Sequence, residues 1–207
     1  MRRIICTILS IVMLLAFTST AFAAISGDAP LTYEGPVLIT NAGQGPGGKM
    51  VRLLMGQAGT VTLDKDYFYS SEPGSGHEGQ VPFEDFGNYN ALLVVIGSTD
   101  KGLGASGITI EDELARLEKM VEAAKAAELP IIGVLLEKDK RSDIPTNANE
   151  RCIDCICPNA AWMVVVKDGN SDGRFDTIKT ETGAPLTILD TAVDFTAMAK
   201  EAFLPAA

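Results

Sequence analysis

The sequence predicts a single three-layer, doubly wound α/β domain with about five or six mostly parallel strands. Two observations support this prediction. Short apolar runs alternate with helical patterns about five or six times along the chain, as a parallel sheet with helical crossovers requires. The run Ala91–Ile96 is apolar at every position, which is typical of a central parallel strand that is buried on both faces.

The first half of the chain contains three strand candidates and one helix. Residues 37–40 (VLIT) are the first apolar run, and a glycine-rich turn at 41–48 leads into a helix at 49–58. A weaker strand signal lies between residues 61 and 69, before the strand at 91–96. The glycines of the turn allow the backbone to bend sharply between the first strand and its helix.

The clearest helix signal begins after Thr109, whose side chain is suited to cap it. Acidic residues follow at 111–113, where they suit the first turn of a helix. The apolar stripe of this helix consists of Leu114, Leu117, Val121 and Ala124. Pro130 ends the helix, because proline interrupts the helical hydrogen bonds.

The remaining elements continue the alternation. They are a strand at 131–136, a helix at 144–156, a strand at 162–166, a short helix at 175–181, a strand at 186–189 and a final helix capped by Asp190. Parallel strands connected by right-handed crossovers place helices on both faces of the sheet. We therefore expect a Rossmann-like or flavodoxin-like domain.

Residues 1–23 have the pattern of an export signal. A basic start at Arg2 and Arg3 precedes an apolar run at 4–17, and Ala21-Phe22-Ala23 has the small-x-small form of a cleavage site. Cleavage after Ala23 leaves residues 24–207 as one domain, with residues 70–82, from Ser70 to Pro82, as a flexible inserted loop. We expect the mature protein to be periplasmic or extracellular.

Composition and charge exclude several classes of protein. The chain is 46% hydrophobic and 21% charged, so it is not disordered. Removal of the signal takes away two arginines and changes the formal net charge from −10 to −12, which argues against nucleic acid as a partner. No apolar run after the signal approaches 18 residues, so we expect no membrane span in the mature chain. The oligomeric state is left open.

The predicted fold also indicates where a ligand would bind. In such sheets, ligands bind beyond the carboxyl ends of the strands, where the strand order reverses. Polar residues directly after the predicted strands are Asn41, Gln44, Ser98, Thr99, Lys101, Glu137, Lys167, Asp168 and Asn170. The ligand-binding residues that we predict are Asn41, Gln44, Lys101, Asp168 and Asn170, with Arg141 and Asp143 nearby.

Two glycine motifs resemble nucleotide-binding sequences but lack essential parts. Residues 43–49 (GQGPGGK) fit the phosphate-binding loop, but Met50 replaces the Ser or Thr that would hold magnesium. We interpret this segment as a sharp turn whose backbone N–H groups are placed to hold a carboxylate or oxyanion. Residues 102–107 (GLGASG) fit GxGxxG, but they do not directly follow the strand as the dinucleotide fingerprint does. We interpret them as a tight loop that presents Lys101.

We expect no cofactor, since an exported protein meets neither ATP nor NAD. Asp168, Asn170, Asp172 and Gly173 match the first half of a calcium loop, but Lys179 stands where the bidentate Glu is required. An Asx-rich turn is the favoured interpretation, and a weak calcium site is the alternative.

Cys152, Cys155 and Cys157 lie within six positions and are the sharpest chemical feature of the chain. They lack the histidine of a haem-attachment motif, and they lie at a helix end rather than at its start, unlike a thioredoxin-type motif. The open alternatives are a disulfide with one thiol left over, a soft-metal site, or buried thiols. His77, the only histidine, has no readable Ser-His-Asp or Cys-His partners, so enzymatic activity is less expected than binding.

Four sequence blocks together resemble a catalogued bacterial domain-of-unknown-function family of exported proteins. The blocks are Pro36-Val-Leu-Ile-Thr40 with Gly43-Gln44, Lys101-Gly-Leu-Gly104 with Gly107, Ser142-Asp143, and Gly169-Asn170-x-Asp172-Gly173-x-Phe175. The resemblance covers roughly residues 35–190 and implies an exported α/β domain with no established activity. The turn at 45–49, the loop at 70–82 and the cysteine cluster depart from the family pattern.

Three functional hypotheses follow. The first is a domain that binds a small polar or anionic ligand at the carboxyl ends of the strands. The second is an extracytoplasmic enzyme that uses the same crevice, and the third is a thiol or soft-metal protein that uses the three cysteines.

Overall fold

The computed structural model describes residues 24–59, 63–67 and 83–204, and only the backbone at 63–67. The expected signal at 1–23 and the expected loop at 70–82, with His77, lie outside the described residues. The strands are β1 (Ile25–Gly27), β2 (Tyr33–Glu34), β3 (Val37–Ala42), β4 (Leu63–Tyr67), β5 (Ala91–Ile96), β6 (Ile131–Leu135), β7 (Trp162–Val166), β8 (Leu186–Leu189) and β9 (Phe203–Leu204). The α-helices are α1 (Gly47–Ala58), α2 (Asp100–Ala105), α3 (Ile110–Ala126), α4 (Ala148–Ile156), α5 (Arg174–Thr182) and α6 (Phe195–Ala202).

Seven of these strands form one sheet in the order β1-β8-β7-β6-β5-β3-β4. The six strands from β8 to β4 are parallel, and β1 runs antiparallel along β8. The chain enters the parallel sheet at β3, adds β4 on one side, and then adds β5 to β8 on the other. This is the flavodoxin-like order extended by one strand. The predicted α/β class is confirmed.

Helices cover both faces of the sheet, because side chains of each strand point alternately to opposite faces. Leu92 and Val94 of β5 belong to a core cluster with α3, α4 and α5. Leu93 and Val95 of the same strand belong to a second cluster, with α1 and α6. The three layers therefore meet around a sheet that is apolar on both sides.

Three local predictions need correction. Residues 102–105 of the loop expected at 102–107 belong to the short helix α2, which is capped by the Thr99 hydroxyl accepting a hydrogen bond from Gly102 N–H at 3.0 Å. The helix expected from residue 144 begins at Ala148, where the Asn147 side chain accepts from Asn149 N–H at 2.9 Å. The cap predicted at Asp190 is wrong. A 3-10 turn, Ala192–Asp194, precedes α6, and the Asp194 carboxylate accepts from Thr191 N–H at 2.8 Å.

The strands β1, β2 and β9 have no counterpart in the sequence prediction. Each is only two or three residues long, which is too short for an alternating apolar pattern to stand out. The helix signal that begins after Thr109 is confirmed, and Thr109 and Asp112 form a reciprocal capping box. Among the described residues, no helix is both long and apolar enough to cross a membrane.

Candidate functional site

The strand order reverses between β3 and β5, so the loops that leave these strands lie side by side. Ala42 pairs with Ile96 at the ends of the two strands, and Gly97 N–H donates to the Ala42 carbonyl at 2.9 Å. Gly43 has φ +92°, and a Cβ at this position would lie 2.5 Å from the Ser98 Cα. The two loops therefore approach as closely as a glycine backbone allows.

Asn41, the penultimate residue of β3, is buried and only half paired. Its Oδ1 accepts from Gly48 N–H at 2.6 Å, at the start of α1. Its Nδ2 is buried and has no hydrogen-bond partner among the described residues. The Gly48 amide, which would face phosphate in a nucleotide-binding loop, is instead bound to the protein's own side chain.

Asn149, in the first turn of α4, has the same arrangement. Its Oδ1 accepts from Ser98 N–H at 3.1 Å, directly after β5. Its Nδ2 is buried and unpartnered within the described part of the chain. The Ser98 hydroxyl is buried beside the Cys152 thiol, which is only a weak hydrogen-bonding neighbour.

Glu137 lies directly after the β6 end of the sheet and projects toward the switch-point loops. Its Oε2 would be 2.7 Å from a Cβ on Gly97, 3.3 Å from one on Gly45 and 3.6 Å from one on Gly47. This oxygen is buried and has no hydrogen-bond partner among the described residues. Burial raises the pKa of the Glu137 carboxyl, and nearby Asp139 adds to this effect while Lys140 opposes it.

Gln44 completes the group, which we call the switch-point crevice: Asn41, Gln44, Ser98, Glu137 and Asn149. Both polar atoms of the Gln44 side chain are buried and unpartnered in the described structure. Leaving a buried polar group unpaired costs about 1–3 kcal/mol, and native proteins keep few such groups. Their concentration at a switch point makes this crevice the candidate functional site.

A buried ion pair holds the end of β3 in place. Glu113 is fully buried and accepts from Gly43 N–H at 2.7 Å, and Arg116 donates to the Asn41 carbonyl at 2.7 Å. The two side chains bind each other at 2.6 Å and 2.9 Å. The sequence prediction assigned Glu113 to the first turn of α3, and the structure turns its side chain toward the glycine-rich loop.

The predicted ligand-binding residues divide into two groups. Asn41 and Gln44 belong to the switch-point crevice. Lys101 lies on α2 next to Gly102, which approaches the Gln44 backbone, but its side chain is exposed and has no ion pair with another described residue. The structure therefore brings Lys101 to the rim of the crevice.

The other predicted residues lie beyond β6 and β7, where Arg141, Asp168 and Asn170 bind further residues of the chain. Arg141 binds Glu150 at 2.9 Å and Asp172 at 2.6 Å, and it also donates to the Gly169 carbonyl. Since its guanidinium is already satisfied, the structure favours a role for Arg141 in fixing the loops. Asp143 is exposed.

Asp168 and Asn170 also have partners within the chain. Asp168 forms an exposed pair with Lys138 at 2.8 Å. Asn170 accepts from Phe175 N–H at 2.9 Å at the start of α5, and it donates to Asp176 at 2.7 Å. The side chains of the half calcium loop therefore bind other residues of the protein. Among the described residues, no group of three or more His, Cys, Asp or Glu side chains is placed to hold a metal ion.

The three cysteines are free thiols in the structure. Cys152 and Cys157 are buried, and Cys155 is half-buried on α4. Burial raises the pKa of the Cys155 thiol to about 11 and that of Cys157 to about 12, and it raises the pKa of Cys152 as well. These thiols are therefore protonated at neutral pH, and the thiol or metal hypothesis stays a prediction.

Sequence reasoning included Ser98 and Glu137 among the residues after strands but omitted them from its narrower ligand set. Their position directly after a strand was the available signal. Asn149 and the Glu113–Arg116 pair carried no such signal, since both lie on helices that become neighbours of the loops only after folding.

The comparisons with known proteins agree with this assignment to an α/β domain of unknown activity. A family model described as a domain of unknown function, DUF6305, matches residues 34–203. No curated protein is significantly similar to the chain. The matched region contains the six parallel strands and every residue of the switch-point crevice. The chain belongs to the DUF6305 family of domains of unknown function.

Proposed function

We propose that this protein binds a small polar organic ligand in the switch-point crevice and acts outside the cytoplasm after losing residues 1–23. The observation that carries the proposal is the set of buried, unpartnered polar atoms at the carboxyl ends of β3, β5 and β6. A ligand with complementary donors and acceptors would offset the cost of leaving them unpaired. Neighbouring secondary-structure elements contribute these atoms, as in other sites at topological switch points.

The donors of the crevice are held in defined orientations. Asn41 and Asn149 each use their side-chain oxygen to accept a backbone N–H, from Gly48 and Ser98 respectively. The contact of each side-chain oxygen also fixes the position of its Nδ2, because both atoms are bonded to the same carbon of a planar amide. Two preoriented donors favour a ligand with a carbonyl or carboxylate oxygen.

Binding accounts for these residues better than catalysis does. The Ser98 hydroxyl has no His or carboxylate partner at hydrogen-bond distance in the described structure, so nothing there would activate it as a nucleophile. The buried Cys152 thiol beside it has a raised pKa, which disfavours the thiolate needed for attack.

Native mass spectrometry of the purified protein tests the proposal. We expect a retained small molecule, which denaturation would release for identification by its mass. Gln44→Ala should lower the affinity for that molecule by about tenfold, since it removes two neutral hydrogen bonds of about 1 kcal/mol or less each. Gln44 makes no side-chain hydrogen bond within the described protein, so the variant should fold normally.

The matched control is Gln57→Ala, on the exposed face of α1. This variant should bind as the wild type does. If the purified protein carries no small molecule and binds none from a set of common metabolites in calorimetry, the proposal is wrong. Equal loss of affinity in both variants would also contradict it.

A further inference from the structure

The switch-point crevice contains an acid as well as amide donors, and this combination restricts the chemistry of its ligand. Glu137 Oε2 is buried against the backbone of Gly45 and Gly97 and accepts no hydrogen bond from the described residues. No Lys or Arg of the described residues forms a salt bridge with it, and Lys140 is the cation close enough to oppose the rise of its pKa. A phosphate or other dianion at this position would face a carboxylate that has no ion-pair partner.

The amide donors come from a strand and a helix beside the same crevice. Asn41 Nδ2 is at the end of β3, and Asn149 Nδ2 is next to the loop that follows β5. Asn41 and Asn149 are 2% and 0% exposed, so neither amide is in contact with bulk water. The crevice therefore combines two amide donors with a carboxylate acceptor.

We propose, on the basis of the binding function above, that the ligand is a small zwitterion of the amino-acid class. Its ammonium group would bind Glu137 Oε2, and its carboxylate would accept hydrogen bonds from the Asn41 and Asn149 amides. A protonated amine compensates the buried carboxylate, whereas a hydroxyl donates a hydrogen bond but brings no countercharge. An amino acid is the smallest common metabolite that supplies both groups.

Isothermal titration calorimetry with each of the twenty L-amino acids tests the proposal on the purified protein. At least one should bind. For that amino acid, the 2-hydroxy acid of the same side chain should bind on the order of 30-fold more weakly, because it leaves the Glu137 carboxylate without a cation. Inorganic phosphate should not compete.

Two variants locate the recognition of the ammonium group. Glu137→Gln keeps the shape of the side chain and should reduce the affinity for the amino acid by a similar factor, on the order of 30-fold. Glu128→Gln removes an identical charge from an exposed residue before β6, away from the carboxyl ends of the strands, and should leave the affinity unchanged.

The possible failures separate the two proposals. Suppose that a ligand binds and that Gln44→Ala lowers its affinity. If this ligand lacks an amino group, or if Glu137→Gln leaves its affinity unchanged, the zwitterion proposal is overturned and the binding function stands. If the wild type binds the 2-hydroxy acid as tightly as the amino acid, the zwitterion proposal is overturned as well. This result does not depend on whether the Glu137→Gln variant folds. If neither amino acids nor any retained molecule bind, both proposals are overturned.

Discussion

Glu113 and Glu137 are two acids near the same crevice, and their surroundings give them different chemical roles. Glu113 is fully buried, but Arg116 and Gly43 N–H satisfy its oxygens. Glu137 has one buried oxygen without a partner. The first acid therefore fixes a loop, while the second is left available for a ligand.

The raised pKa of Glu137 predicts a pH-dependent effect of Glu137→Gln on stability. An acid whose pKa is raised by folding contributes stability below its ordinary value of 4.5, and this contribution is lost as the pH rises through the higher folded value. The Gln variant has no such loss. The melting temperature of the Gln variant, relative to that of the wild type, should therefore increase from pH 4 to pH 7.5. Thermal unfolding without ligand measures this difference.

Glu128→Gln is the control for this measurement, because Glu128 is exposed. Its melting temperature should follow the wild type across the same pH range. The melting temperature of Glu137→Gln relative to the wild type could instead stay constant or fall as the pH rises. Either result would show that the Glu137 carboxyl does not titrate with a raised pKa.

Arg116→Met should be strongly destabilising. The substitution leaves the Glu113 carboxylate buried without its cation, and breaking a buried pair in this way costs about 3–5 kcal/mol. Urea unfolding followed by circular dichroism measures this loss. Arg151→Met, which breaks the exposed pair with Glu111 at 2.8 Å, is the control and should have little effect. Equal stability of the two variants would contradict the anchoring role of Arg116.

Helix α4 contributes residues to two polar regions of the protein and also carries cysteines. Its first turn places Asn149 against the loop after β5 and Glu150 against Arg141. Cys152 lies at its middle, Cys155 lies in its last turn and Cys157 follows it, and all three pack into the core between the sheet and the helices. One short helix therefore positions a crevice donor and also buries the most reactive atoms of the chain.

The thiols of this helix should react slowly in the folded protein. A shift of the Cys155 pKa from 9.0 to about 11 leaves about 100-fold less thiolate at pH 8. With Ellman's reagent, Cys155 should therefore react on the order of 100-fold more slowly than an ordinary exposed thiol, and the two buried cysteines should react more slowly still.

Unfolding provides the control for the thiol prediction. A chain that begins at Ala24 contains three cysteines, and all three should react in denaturant when the protein is purified without reductant. A single reactive thiol would show that two of them form a disulfide. Cys155→Ser should remove the fastest of the three native phases.

The whole molecule is an acidic domain built around a six-stranded parallel sheet with one antiparallel edge strand. Its formal net charge of −10 in the full sequence becomes −12 without Arg2 and Arg3. On such a background, a crevice containing a further carboxylate is poorly suited to concentrate anions. The overall charge and the local site therefore favour the same kind of ligand, one that carries a positive group.

The proposed export makes a prediction about the complete chain. When the full sequence is expressed in a bacterium, the protein should be found outside the cytoplasm with Ala24 as its first residue, as measured by intact mass. Ala23→Leu should block processing, because the position before the cleavage site requires a small residue. Recovery of the wild type in the cytoplasm with its residues 1–23 attached would contradict the proposal.

The six parallel strands could be read from local sequence, whereas the short strands β1, β2 and β9 could not. Runs such as Ala91–Ile96 and Trp162–Val166 match their predicted bounds, because burial on both faces requires every residue of a central strand to be apolar. Asn41 and Gln44 were predicted as site residues in the same way, from their place at the carboxyl end of the first predicted strand; Asn41 in fact lies within β3. The predicted contacts of Arg141, Asp168 and Asn170 are instead made with other residues of the chain.

Local patterns were therefore sufficient for the α/β class and for the parallel arrangement of the main strands. The strand order and the composition of the crevice depended on folding, because they rest on contacts between distant residues. Hydrogen bonds join Gly43 to Glu113, Asn41 to Arg116 and Ser98 to Asn149. These partners are 70, 75 and 51 positions apart in the sequence. No local periodicity records which helix will cover which loop, so an acid that looks solvent-exposed in sequence becomes a buried anchor in the folded protein.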